Sequence, residues 1–203
     1  MATKKGKIKK VSLSLFSNLR NIGIIALRLL PDDELIGVKL AEDKEHVILT
    51  TKHGKSIRFS GDPIRSMGRI SFGVKGIILK AEDSLVNISL VPPDTDKYLL
   101  LVTEKGQAKR TALKKFREFK KRGSQGLKSI GITKEKGLVV DVKVVSEEDE
   151  LVLISQQGIV IRVSVKEIRH TGRYSQGVKI MNLAPEDKVA SVALVSSEDI
   201  DLS

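Results

Sequence analysis

Short apolar or β-branched runs recur along the chain and are broken by compact polar turns. Leu151–Ser155 and Ile159–Val163 flank Gln156-Gln157-Gly158, where the glycine can take positive φ, and the arrangement predicts a β-hairpin. Val178–Leu183 and Lys188–Val195 flank Ala184-Pro185-Glu186-Asp187, whose turn chemistry predicts a second pair. Leu99-Leu100-Leu101-Val102 is apolar at every position instead of alternating, so a strand there needs cover on both faces.

This unit is written four times, at a spacing of about 50 residues. Each copy carries Thr or Ser three residues before a glycine: Thr3 and Gly6, Thr51 and Gly54, Thr103 and Gly106, Ser155 and Gly158. Four residues after the glycine stands Lys10, Arg58, Arg110 or Arg162, and ten after it Phe16, Ile64, Phe116 or Ile168, which read as core anchors. A second glycine follows a basic residue, from Arg20 to Gly23, Arg69 to Gly73, Arg122 to Gly126 and Arg173 to Gly177. Ten residues beyond it stand Asp33, Asp83, Lys136 and Asp187, the third copy departing from the others.

Four short strands in about 50 residues are the arithmetic of a propeller blade, whereas a sandwich needs no such identity between copies. The expected fold is therefore all-β and propeller-like, one unit over 1–203 with repeats near 1–44, 45–95, 96–148 and 149–198. Only Ala2 and Thr3 precede the first turn after Met1, so the first blade is expected to be incomplete, its missing strand coming from a neighbour or a longer domain.

Charge sharpens the picture. Lys and Arg number 36 against 25 Asp and Glu, a formal charge of +11, and such a surface attracts polyanions. No apolar run approaches the roughly 20 residues that cross a bilayer, and no segment offers an apolar insertion face, so nucleic acid is the expected partner and a membrane is not. The absence of cysteine excludes disulfides and thiolate metal sites and fits a reducing, cytoplasmic setting.

The basic positions recur at fixed phases. One set is Lys9, Lys10, Arg58, Lys109, Arg110 and Arg162; a second lies between hairpins, at Arg20, Arg65, Arg69, Lys120, Lys121, Arg122, Arg169 and Arg173. With Lys114, Lys115 and Lys128 they are the candidate phosphate contacts, and the glycines of Lys120–Gly126 are expected to let backbone amides approach a phosphate. Five Phe and two Tyr are too few for a base-stacking platform, so backbone-dominated binding to duplex DNA is expected. Gly123–Ser129 lacks the spacing of a nucleotide phosphate loop, and His46, His53 and His170 follow no metal-ligand spacing. No catalysis, metal or cofactor is expected.

Val47–Phe59, Arg65-Ser66-Met67-Gly68-Arg69 and Gly73-Val74-Lys75-Gly76-Ile77, together with Asp33–Val38 and Lys109-Arg110-Thr111, resemble the C-terminal domain of the DNA gyrase A protein. The resemblance implies a β-pinwheel, a propeller variant whose blades exchange strands, with duplex DNA wrapped on its basic rim. It implies an accessory role in an ATP-dependent type II topoisomerase, where wrapping supports negative supercoiling. The partners it implies are the remainder of the gyrase A protein and the ATPase-bearing gyrase B protein. The family usually has six blades and carries a Gln-Arg-Arg-Gly-Gly-Lys-Gly box, which Lys120–Gly126 only echoes. Arg173-Tyr174 matches the catalytic Arg-Tyr of the enzyme class by accident, since Ile70 and Gly123 share that phase, and the catalytic tyrosine is expected outside this chain. The equivalent domain of the decatenating topoisomerase IV and a protein-interaction scaffold are the alternatives.

Overall fold

The computed structural model describes residues 1–18, 21–42 and 44–196. The first repeat supplies β1 (Ala2–Thr3), β2 (Lys7–Ile8) and β3 (Leu35–Gly37), and the second β4 (His46–Thr51), β5 (Lys55–Ser60), β6 (Val74–Lys75) and β7 (Leu85–Val91). The third supplies β8 (Tyr98–Thr103), β9 (Gln107–Ala112), β10 (Leu127–Lys128) and β11 (Val139–Val145). The fourth supplies β12 (Glu150–Ser155), β13 (Val160–Ser164), β14 (Val178–Lys179) and β15 (Val189–Val195).

These strands form antiparallel sheets ordered β3-β1-β2-β6, β7-β4-β5-β10, β11-β8-β9-β14 and β15-β12-β13. The last strand of each of the first three sheets is lent by the following repeat: β6 pairs with β2, β10 with β5 and β14 with β9. This is the exchange expected of a pinwheel. β3, β7, β11 and β15 adjoin from sheet to sheet and make the inner layer, which leaves the lent strands outermost. The shortfall expected of the first blade falls elsewhere: its sheet has four strands, and the three-stranded sheet is the fourth.

The repeated Thr or Ser explains the hairpin turns. Its carbonyl accepts from the turn-glycine amide, as Thr51 O does from Gly54 at 2.9 Å, and its hydroxyl accepts from the next strand, as Thr51 Oγ1 does from the Lys55 amide at 3.3 Å. The repeated aspartate holds the following turn to the first one. Asp83 Oδ1 accepts from the His53 and Ser84 amides, and Asp33 and Asp187 do the same at Lys5 with Glu34 and at Gln157 with Lys188. In the third repeat, where Lys136 replaces the aspartate, Glu104 Oε1 reaches the Leu138 amide instead.

Stacking of the sheets explains the continuous apolar runs. Leu99 and Leu101 pack with Ile48 and Val139 on one side of the third sheet, while Leu100 and Val102 pack with Leu151 and Leu153 on the other. Ile64, Phe116 and Ile168 are buried as expected of anchors, and Phe16 is half-buried. Among the described residues the fourth sheet is stacked against another sheet on one face alone, so Leu151 and Leu153 are buried whereas Ile154 is 37% exposed. Leu101→Ala is expected to lower unfolding stability by about 2–5 kcal/mol through lost burial and a residual cavity. Ile154→Ala should shift the denaturant midpoint far less, and an equal shift would contradict this assignment of faces.

Candidate nucleic-acid interface

The two sets of cations separate into an interior group and an outer one. Lys9, Arg58, Lys109 and Arg110, expected on a phosphate track, are buried, because their strands lie inside the stack and their polar ends meet carbonyls there. Lys109 is fully buried, and its Nζ donates to the carbonyls of Gly172 at 2.7 Å, Arg173 at 2.9 Å and Ser175 at 3.4 Å. Lys9 Nζ likewise donates to Ala26, Arg69 and Ser71 carbonyls. Each lysine thus fastens the interhairpin loop of the next repeat. Arg58 donates to His46 Nδ1 and to the Leu113 and Pro93 carbonyls, while Arg110 donates to the Ile168 carbonyl and, at 2.7 Å, to Glu147. Arg162 is exposed but paired with Glu150, and Lys10 is half-buried.

The interhairpin set lies outside. Arg65, Lys114, Lys115, Lys120, Lys121, Arg122, Lys128 and Arg169 are exposed, and Arg69 and Arg173 are half-buried. None of these forms an ion pair among the described residues. Arg173 stacks over the Tyr174 ring at 5.4 Å, which keeps its guanidinium at the surface. Arg20 lies outside the described residues.

The loop amides do not serve as expected. The Gly123 amide donates to the Gly76 carbonyl at 2.7 Å and the Gly126 amide to Ser124 Oγ, so neither faces outward to an anion. The glycines are there for backbone geometry: Gly126 has φ 68°, and a Cβ on it would stand 2.6 Å from the Ser56 carbonyl oxygen.

Of the lysines of the lent strands, sequence reasoning singled out Lys128 and missed Lys75 and Lys179. Lys75, Lys128 and Lys179 occupy one phase, two residues past the second glycine, and all are exposed. Lys75 lies directly opposite Lys7, and Lys128 directly opposite Lys55. Like charges facing one another across a ladder destabilise it unless an anion joins them. A basic residue at that fixed offset was the signal that could have found them.

Comparison with known proteins bears on the family and the fold. The family model "DNA gyrase C-terminal domain, beta-propeller" matches residues 1–42, 45–92, 97–146 and 149–196. The DNA gyrase A protein of Deinococcus deserti is 40% identical over 201 residues, covering 98% of this chain and 25% of that protein. That of Staphylococcus epidermidis is 38% identical over 198 residues, covering 98% of this chain and 22% of that protein. The chain therefore spans about a quarter of the length of these relatives. A solved DNA gyrase A C-terminal domain superposes with a TM-score of 0.85 at 30% identity, over 95% of this chain and 64% of its own. The C-terminal domain of a DNA topoisomerase IV superposes with a TM-score of 0.90 at 24% identity, over 98% of this chain and 61% of its own, a likeness of fold.

Burial, reinforced by Arg173, Lys115 and Lys128, lowers the Lys109 ammonium to about 8. Between that value and the ordinary lysine value the unfolded chain holds a proton that the folded chain has released, so stability rises with pH across that window. Lys109→Ile, which places there the residue type of Ile57 and Ile161 at the same phase, removes this dependence. Denaturant unfolding from about pH 7 to about pH 10.5 should show the parent gaining stability relative to the variant; parallel curves would refute the assignment.

Proposed function

The chain belongs to the DNA gyrase C-terminal β-propeller family, and on that premise we propose that it binds duplex DNA without reading its bases and bends or wraps it along the outer strands and interhairpin loops. The observation that supports this reading most directly is the unneutralised cation track. Lys7 faces Lys75 and Lys55 faces Lys128 on the outer ladders, with Lys120, Lys121, Arg122, Arg65 and Arg169 exposed in the loops. Phosphates placed there would relieve a repulsion that the folded protein otherwise carries.

Binding of this kind is driven by release of the counterions condensed on DNA, so it is insensitive to base identity and strongly sensitive to salt. The sheets adjoin through β3, β7, β11 and β15, and the radial arrangement of a propeller would set their outer edges on an arc, so that a duplex touching successive edges would have to bend. In an intact gyrase A-like protein, such bending would present a DNA segment to the breakage-reunion part of that protein and to the ATPase-bearing gyrase B protein, supporting negative supercoiling. The contribution of this chain is to position DNA rather than to cut it.

Ligation of nicked circular DNA in the presence of the chain is expected to shift the linking number, which reports wrapping. Combined Lys120→Ala, Lys121→Ala and Arg122→Ala should flatten the slope of log affinity against log salt by about 2 to 3 and leave base preference unchanged. A parent that binds DNA weakly and with little salt dependence would mark the scaffold reading instead.

A further inference from the structure

A buried cation and a surface cation of the third junction are linked through one loop, residues 171–177. The loop is laid on β9, where the Thr171 amide donates to the Arg110 carbonyl at 3.0 Å, and three of its own carbonyls converge on Lys109 Nζ. Its Arg173 side chain runs the other way, and Nη1 donates to the Lys128 carbonyl on the lent strand β10 at 3.4 Å. Lys128 faces Lys55 across that ladder. A phosphate placed among Lys55, Lys128 and Arg173 would meet three positive charges, and the third arrives only while the loop keeps its course.

An ammonium has three donors and no acceptor, so three carbonyls are its full complement. A neutral amine keeps two donors and turns a lone pair toward the remaining oxygen, which leaves one carbonyl of the loop unmet. The Gly172 carbonyl also accepts from the Ser175 amide at 3.2 Å, and the Ser175 carbonyl from the Gly131 amide at 2.9 Å. The Arg173 carbonyl has no second partner among the described residues, so its place depends on the Lys109 proton most directly.

The charges that face Lys109 are Arg173 of this loop, Lys115 of the turn after β9 and Lys128 of β10, all positive. No carboxylate pairs with Lys109 among the described residues. Burial and these neighbours set its proton loss at about 8. The second junction provides a comparison within the chain. Arg122 stands at the phase of Arg173 and donates likewise to the Lys75 carbonyl, at 2.7 Å, but Ile57 stands at the phase of Lys109 and has no proton to lose.

We propose that Lys109 is a positioning residue for DNA: its ammonium holds the Arg173 loop on the outer ladder, and when that proton leaves, the loop lets the Arg173 phosphate contact go. The proposal rests on the duplex-binding reading given above and adds a pH dependence carried by one loop. The contact is present below about 8 and is lost as pH rises through it, since DNA favours the protonated form. Lys9 makes a similar cage around the Arg69 carbonyl, so the experiment has to isolate Lys109 by substitution.

Affinity for a random-sequence duplex, at fixed ionic strength from about pH 7 to about pH 9.5, should fall in the parent by about threefold to tenfold more than in Lys109→Ile. That variant should keep the parent circular dichroism, since Ile57 fills the same phase. Arg173→Gln should lose the same part of the fall, Arg122→Gln should keep it, and Lys109→Ile added to Arg173→Gln should weaken binding no further. In the chain without DNA, protection of 171–177 from hydrogen exchange should drop across this range toward that of Lys109→Ile, while protection of 120–126 should not. A parent whose fall matches that of Lys109→Ile, or an Arg173→Gln chain that keeps the whole fall, would overturn the proposal and leave duplex binding standing. Unchanged protection of the loop would overturn it without reference to DNA, and a chain that binds no duplex at any pH would overturn both readings.

Discussion

Close approach between a turn glycine and the strand lent by the following repeat governs the assembly of this molecule. At Gly54 a Cβ would stand 2.5 Å from Ile130, and at Gly177 one would stand 2.6 Å from the Ala108 carbonyl oxygen; a larger residue would push the outer strand away. Each of those glycines also has positive φ, so shape and backbone conformation demand the same residue. Short outer strands of two residues survive because they are clamped there by backbone hydrogen bonds on both sides of the junction. The sheets then stack at a fixed phase, which gives the continuous burial of Leu99–Val102 its partners on both faces.

Interior cations complete the joints. An ammonium inside a protein is expensive unless its donors are satisfied, and Lys109 satisfies all three on the carbonyls of one loop. One of those carbonyls belongs to Arg173, whose guanidinium remains at the surface over Tyr174. A buried charge therefore fixes the backbone of a residue whose own charge faces solvent. Arg110 plays a related part, joining the Ile168 carbonyl and Glu147 while its guanidinium stacks over Tyr98 at 4.8 Å.

Much of this was legible in the sequence. The fourfold phase of Thr or Ser with glycine pointed to the hairpins directly, because those interactions are local, whereas the aspartate, present in three copies of four, marked a turn without showing that it ties that turn to the first. The location of the three-stranded sheet was not legible, since Val74, Leu127 and Val178 pair with strands of another repeat and periodicity carries no record of which neighbour they choose. Phase also tells that Lys9, Arg58, Lys109 and Arg110 are equivalent or adjacent, but not whether they face water. Their burial follows from how the next repeat's loop runs over them, a tertiary fact. Lys75 and Lys179 escaped notice for the opposite reason: they sit on two-residue strands too short to show alternation.

Exchange of strands has a consequence for synthesis on the ribosome. The first sheet needs β6, so it cannot be completed until Lys75 has emerged, long after β1 and β2 have left the exit tunnel. The second sheet waits in the same way for Lys128 and the third for Lys179. A nascent chain of this kind always carries one unfinished edge at its growing end, a lag of one repeat between translation and closure. Through that interval the edge is open to mispairing with other nascent strands, and the lysines at Lys7 and Lys55 on the waiting edges are the kind of charge that keeps such edges apart.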